Sequence, residues 1–331
     1  MKPCILVFGL PRSGTTWIGK LFDSHPDTLY RHEPDSVQRL SMPLFPEKQD
    51  APRHREELEQ FVATLPRMRS PEVVGKQPLF PKSYQSAAGL AAYRASVVVA
   101  KAASRVHRHF PCAYRPTGEN GRNARVVWKS IESSGRLGAC IEALPEVRAI
   151  HLMRHPCGVV ASRLRGSVAH GFGQPAADLW VLKLLLATAS GQAHGMDMEA
   201  IQRLTPEEQV TWSWLLTQEK ILADVADSER VLTVRYEDVC AQPIELTRRM
   251  FEFAGLDWQP QTEKFALAST QTGDASYYSV FKNPQASAQR WRSELSPDVI
   301  ERVQRILRGS PLQRFYKDEL PASKVPTEAA S

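Results

Sequence analysis

CILVFGLPRSGTTW, residues 4–17, runs an apolar stretch of strand length directly into a glycine-rich turn that opens a segment with helical spacing. In Gly9-x4-Gly14-Thr15-Thr16 successive backbone N–H groups and the helix dipole converge on one point, so the turn is read as a phosphate cradle. Trp17, Ile18, Leu21 and Phe22 share one helical face, and His25-Pro26 ends the helix.

Three further units repeat this plan. Residues 125–128 precede a helix over 136–144 that Pro145 terminates, and residues 147–153 precede a helix opened by His155-Pro156 and carrying Val159, Val160 and Leu164. Residues 231–235 precede Tyr236-Glu237-Asp238 and a helix over 243–254 with Gly255 as its C-cap. Strands alternating with helices predict an α/β fold, a central parallel sheet of P-loop type flanked by helices on both faces. Residues 35–123 and 166–228 show no clear strand and read as mostly helical insertions expected to shape an acceptor site. Residues 1–320 are expected to form one domain, and residues 321–331, small and polar, a mobile tail.

A chain of 331 residues, 42% hydrophobic and 24% charged, has the make-up of a soluble globular protein with a full core. The formal net charge of +6 accords with anionic ligands without choosing among phosphates, acidic sugars, nucleic acid or a membrane surface. Cys4, Cys112, Cys140, Cys157 and Cys240 are odd in number, far apart and without a C-x-x-C pair. Neither a disulfide frame nor a zinc site is expected, and a reducing cytoplasm fits. Residues 4–8 are too few for a signal sequence, and the most apolar helical stretch, residues 179–189, contains Lys183 and falls short of the roughly 20 residues that span a bilayer. No transmembrane segment is expected.

The loop departs from that of a kinase at one position. A nucleotide kinase or ATPase has lysine directly after the second glycine and then Ser or Thr for magnesium, whereas here Thr15 holds the lysine position. Arg12 is the loop's cation, and no apolar strand ends in an obvious metal-holding carboxylate. A transferring sulfuryl group carries less negative charge than a phosphoryl group, so Arg12, backbone amides and the Thr15 and Thr16 hydroxyls suffice to stabilise it. Two other readings share the loop: a kinase transferring a phosphoryl group from ATP, and a non-catalytic nucleotide-binding module. No nucleic-acid motif accompanies the basic charge, and no nucleic-acid partner is expected.

Pro11-Arg12-Ser13-Gly14-Thr15-Thr16-Trp17 resembles the first cofactor-binding motif of the sulfotransferase superfamily, whose members use 3′-phosphoadenosine 5′-phosphosulfate (PAPS). The resemblance implies that residues 12–17 grip the 5′-phosphosulfate end, with no metal. Arg154 and Ser162, eight residues apart after a strand, resemble the pair that binds the 3′-phosphate. Val234-Arg235-Tyr236-Glu237-Asp238 resembles the family segment whose tyrosine, here Tyr236, lies against the adenine. Gln289-Arg290-Trp291-Arg292 is similar, at a different spacing, to a late basic element near the 3′-phosphate.

For the chemistry, Lys129 matches a lysine that assists the departing phosphoadenosine phosphate, but Ile131 stands where the cytosolic branch has its histidine base. Tyr30-Arg31-His32-Glu33-Pro34 resembles the Glu-Pro segment of the carbohydrate-type branches, which makes Glu33 the candidate base, with Glu132 and His32 as alternatives. The implied function is sulfuryl transfer from PAPS to a hydroxyl or amine of a carbohydrate or small metabolite. Lys101, Arg105, His107, Arg108, His109, Arg115, Arg122 and Arg125 form a basic stretch where an anionic acceptor is able to dock, and a solvated charged face is an equal reading of it.

Overall fold

Five strands form one parallel sheet in the order β2-β3-β1-β4-β5. They are β1 (Ile5–Gly9), β2 (Thr28–His32), β3 (Arg125–Ser130), β4 (Arg148–Met153) and β5 (Val231–Arg235). They belong to a computed structural model that describes residues 3–104, 110–112, 121, 123–170, 177–271 and 284–316. Every residue of β1 is buried, as a central strand covered on both faces requires.

Alternation along the strands sorts the two faces. Ile5, Val7, Ile150 and Leu152 pack under helix α1 (Thr15–Ser24) and the helices Pro243–Ala254 and Pro260–Gln271, through Ile18, Leu21, Phe22, Met250, Phe251 and Phe265. Leu6, Phe8, Trp128 and Ala149 face the helices Ala51–Thr64 and Leu137–Ala143, through Leu58, Phe61, Leu137 and Ile141. Trp128 meets Phe8 edge-on at 5.0 Å and Phe61 at 4.7 Å. A third cluster joins Met153 and the helix Pro156–His170 to the helices Pro206–Asp224 and Pro297–Leu307. The stretch 35–123 therefore supplies a structural layer over the sheet through Ala51–Thr64, beyond the acceptor role expected of it.

Four of the strands follow the sequence pattern closely, and Gly255 takes the left-handed C-cap at φ 68°. The fifth, β2, lacks an apolar signature because Arg31 interrupts it, although that arginine is 2% exposed. The Arg31 guanidinium donates to the carbonyls of Leu65 (2.6 Å), Tyr30 (3.0 Å) and Pro66 (3.0 Å), so it serves as an internal brace tying β2 to the end of Ala51–Thr64. Among the described residues no helix is long and apolar enough to cross a membrane. All five cysteines are free and buried. Six members of the basic stretch (Arg105, His107, Arg108, His109, Arg115 and Arg122) and the tail 321–331 lie outside the described residues.

Arg31→Ala removes a buried guanidinium that donates to three carbonyls and is expected to cost about 3–5 kcal/mol. Denaturant unfolding beside the wild type measures this, and a loss below about 1 kcal/mol would remove the brace from the account of β2.

Candidate active site

Because all strands run parallel, the turns after β1, β2, β3, β4 and β5 gather at one edge of the sheet. The turn after β1 closes with Ser13 N–H on the Leu10 carbonyl at 3.2 Å. Arg12 adopts φ 71° and Gly14 φ 89°. Gly14 has no substitute here: a Cβ would lie 2.4 Å from the Tyr236 ring. As the N-cap of α1 it offers no side chain to the first helical N–H groups, which leaves them for an anion. Ser13 Oγ is buried without a hydrogen-bond partner in the loop, a donor set for a ligand oxygen.

The structure brings Arg12, Arg154, Ser162 and Tyr236 together around this loop. Arg12 Nε donates to Ser162 Oγ at 3.0 Å. Arg154 donates to the Arg12 carbonyl at 2.8 Å and to the Ser287 carbonyl at 2.9 Å, and its guanidinium lies 4.8 Å over the Tyr236 ring. Arg154 Nε is buried and unpartnered. Gly158, one turn into the next helix, leaves room for it, since a Cβ there would stand 2.8 Å from Arg154 Nε. Tyr236 is buried beneath Gly14 and edge-on to Trp17 at 6.2 Å, and burial raises its phenol above the ordinary range. Trp17 is buried too, its indole N–H bonded to Ser269 Oγ at 3.0 Å. Thr15 is buried and Thr16 half-buried. Arg290 is exposed and paired with Glu294 at 2.6 Å.

The acceptor side is built on β2 and β3. Their register sets His32 opposite Lys129, and Glu33 N–H donates to the Lys129 carbonyl at 2.7 Å. Glu33 then turns back at φ 46°, and its Oε1 pairs with Lys129 Nζ. Burial lowers the Lys129 ammonium from its ordinary range and the Glu33 carboxylate opposes that shift. Arg12 and Glu33 are the two non-glycine residues with positive φ among the described residues. Such a conformation costs about 1–3 kcal/mol and persists where its surroundings impose it.

Two residues on, Asp35, which the sequence places only at the start of the mostly helical stretch 35–123, anchors the chain after this turn. Fully buried, Asp35 accepts from Trp128 Nε1 at 3.3 Å, Ser130 Oγ at 2.5 Å and Ser133 Oγ at 2.6 Å. The signal for it was faint: two serines three apart after β3, which only the fold sets against Glu33-Pro34-Asp35. Two buried lysines were missed as well. Lys20 pairs with Asp23 and donates to the Lys76 carbonyl at 3.0 Å, and Lys82 reaches Asp23 Oδ1 and the His25 carbonyl, both at 3.0 Å. Of the alternative bases, Glu132 is exposed, and partial desolvation followed by the Asp35 charge raises its carboxyl. Burial, then Lys129, Lys76 and Lys20, push the His32 imidazole down to about 2. An imidazole so disposed is a poor proton acceptor.

Residues 3–260 match the model of the sulfotransferase family. Carbohydrate sulfotransferase 1 of Danio rerio is 22% identical over 336 residues, 92% of this chain and 76% of that protein. Carbohydrate sulfotransferase 5 of Mus musculus is 26% identical over 336 residues, with 92% and 78% covered. Carbohydrate sulfotransferase 3 of Homo sapiens is 31% identical over 190 residues, 56% of this chain and 37% of that protein. Among solved structures, the sulfotransferase domain of the Synechococcus PCC 7002 olefin synthase is similar at a TM-score of 0.44 and 18% identity, covering 94% of this chain and 96% of that one.

Gly14→Ala places a methyl group against Tyr236 in a backbone conformation that alanine resists. It is expected to abolish the thermal stabilisation by 3′,5′-adenosine bisphosphate while the circular dichroism of the sheet and helices stays as in the wild type. Retained stabilisation would mean that the loop does not form the phosphate cradle.

Proposed function

The chain belongs to the sulfotransferase family, and from that premise we propose how the two halves of its site divide the reaction. The protein is a PAPS-dependent sulfotransferase, and PAPS when bound supplies the sulfuryl group together with a phosphate leaving group. The residues present fit that group: an uncapped helix N-terminus, the unpartnered Ser13 hydroxyl, and Arg154 with a spare buried N–H. Arg12, Ser13, Gly14, Thr15 and Thr16 hold the sulfuryl end, and Arg154 with Ser162 holds the 3′-phosphate. Tyr236 borders the adenine side, while Trp17 acts as the packing anchor between loop and core. Arg290, exposed and turned to Glu294, has the weakest claim to a place in the cofactor site.

The observation that carries the chemical reading is the Lys129–Glu33 pair beside the loop. Glu33 takes the acceptor's proton while the acceptor oxygen or nitrogen bonds to sulfur and the bond from sulfur to the leaving phosphate oxygen breaks. Protonation makes Glu33 neutral and ends its hold on Lys129. The ammonium is then able to follow the negative charge gathering on the leaving phosphate. One proton transfer thus arms the second group.

The acceptor is a carbohydrate in this reading, supported by relatives named carbohydrate sulfotransferases across most of the chain. The kinase alternative is disfavoured by Thr15 at the lysine position of the loop. A purely binding module has no use for a buried lysine paired to a carboxylate on a strained turn, an arrangement that lowers stability without adding to nucleotide affinity. We place the protein in a reducing cytoplasm, a reading supported by five free and buried thiols, of which Cys4, Cys140 and Cys240 are pushed up to about 12 by burial.

Thermal stabilisation by 3′,5′-adenosine bisphosphate in preference to ATP with magnesium is expected, and the reverse preference would overturn the reading. Arg154→Ala is expected to weaken that binding roughly ten- to a hundredfold, whereas Glu33→Gln leaves it intact and lowers kcat by about 10²–10⁴. The pH profile offers a separate check. Lys129 acts while protonated and its pKa is lowered by burial, so activity falls as pH rises through a value below the ordinary lysine range. Lys129→Arg keeps its charge at such pH, and the alkaline limb should move upward in that variant.

A further inference from the structure

We propose that His32 and Tyr30 are positioning residues that hold Glu33 through the reaction: Tyr30 fixes the His32 tautomer, and the resulting His32 Nε2–H faces the Glu33 carboxylate. The inference rests on the reading of Glu33 as the base.

The geometry begins with strand alternation. Tyr30 and His32 are two apart on β2, so both side chains project to the α1 face, and Arg31 between them points to the opposite one. Tyr30 Oη lies 2.8 Å from His32 Nδ1. The phenol is fully buried, and burial followed by Asp23 and Glu33 holds it well above its ordinary value, so it keeps its proton and donates. Helix α1 keeps the ring in place: Gly19 is so close that a Cβ would fall 2.7 Å from Tyr30 Oη and 3.1 Å from Lys129 Cγ. Lys20 Nζ lies 5.2 Å over the same ring.

An imidazole that accepts at Nδ1 while neutral carries its hydrogen on Nε2. Neutrality is imposed by burial and by the lysines that face it: Lys20 from α1, Lys76 after the helix Pro71–Val74, and Lys129 from β3. The acids nearby are Asp23 on α1, Glu132 in the turn after β3, and Asp35 beside Glu33 itself. His32 Nε2 stands 3.8 Å from Glu33 Oε1, the oxygen that Lys129 holds. At that distance the contact is electrostatic and not a hydrogen bond. It shortens into one when Lys129 leaves for the departing phosphate and the carboxyl group relaxes by about an ångström toward Nε2–H. Glu33 then has a holder in both of its protonation states, Lys129 before transfer and His32 after it.

The test uses the full chain in wild-type, Tyr30→Phe, His32→Ala, His32→Gln and Glu33→Gln forms. In ¹⁵N-histidine spectra the resonance lost in His32→Gln identifies His32. In the wild type it should report the neutral Nε2–H tautomer unchanged between about pH 5 and 8, and Tyr30→Phe should abolish that tautomer preference. A His32 signal that titrates in this range, or that shows the Nδ1–H form, overturns the proposal without any activity measurement.

With PAPS and a neutral oligosaccharide acceptor, His32→Ala should lower kcat roughly ten- to a hundredfold and leave the KM for PAPS within about twofold. The lost turnover should return in His32→Gln, whose amide N–H replaces Nε2–H. Near-wild-type turnover in Glu33→Gln would defeat the base assignment itself. An inactive Glu33→Gln beside a His32→Ala variant with unchanged kcat, or a His32→Gln variant that restores none of the lost turnover, would defeat only the positioning role. Should His32→Ala fail to fold, the spectra and kcat of Tyr30→Phe decide.

Discussion

An ammonium group 1% exposed at the end of a buried strand needs a counter-charge, and at Lys129 that need organises the acceptor half of the molecule. Glu33 meets it, but only because β2 lies beside β3 in a register that brings His32 level with Lys129. The chain must then reverse at once, which Glu33 does in a left-handed conformation that Pro34 follows and Asp35 pins to Trp128, Ser130 and Ser133. Arg31 secures the strand from its other face. Each of these features is costly alone: a buried lysine, a buried arginine, a buried aspartate and a strained glutamate. Together they are mutually satisfied, and the result is an acid–base pair held at a fixed place beside the phosphate loop.

A second strained point faces the first. Arg12 has the same handedness as Glu33, and it is held from outside its own loop, by Arg154 on its carbonyl and Ser162 on its guanidinium. Tyr236 fills the space beneath Gly14, so β1, β4 and β5 each lend a residue to the shape of one turn. The groups assigned to the two ends of the nucleotide are therefore in direct contact with each other. Arg154 supports, through the Arg12 carbonyl, the loop assigned to the sulfuryl group. A change at either end is felt at the other through one carbonyl.

Legibility in the sequence followed what local pattern encodes. The loop, four strands and their following helices were readable because apolar runs and turn residues report covered strands and helix ends directly. Arg12, Arg154, Ser162 and Lys129 were found because motif spacing survives in one dimension. The strand β2 escaped because its arginine is satisfied by carbonyls of a helix end thirty-odd residues later, information that no window on residues 28–32 contains. Asp35 escaped for a related reason: its three donors come from β3 and the turn after it, nearly a hundred residues away. Buried charges look like surface charges until their partners are known. The same blindness hid Lys82, which meets Asp23 only after the chain near residue 82 folds back on α1, and with it the burial of Lys20, whose own pairing with Asp23 is local to that helix.

Those lysines also explain the sign of the site. Lys20 and Lys82 share one carboxylate, Asp23, and Lys129 has Glu33, so in these ion pairs three ammonium groups share two carboxylates, with Lys76 adding to the positive charge and Asp27 and Asp35 opposing it. Burial lowers all three lysines, and the same field keeps His32 neutral. Across the loop, Arg154 is held by carbonyl oxygens and not by a carboxylate. A fold selected for stability alone has little reason to keep such a positive excess out of water, because each uncompensated cation opposes folding. The excess is reasonable where an anion completes the charge balance on binding. The same positive field stabilises negative charge as it gathers on a leaving phosphate.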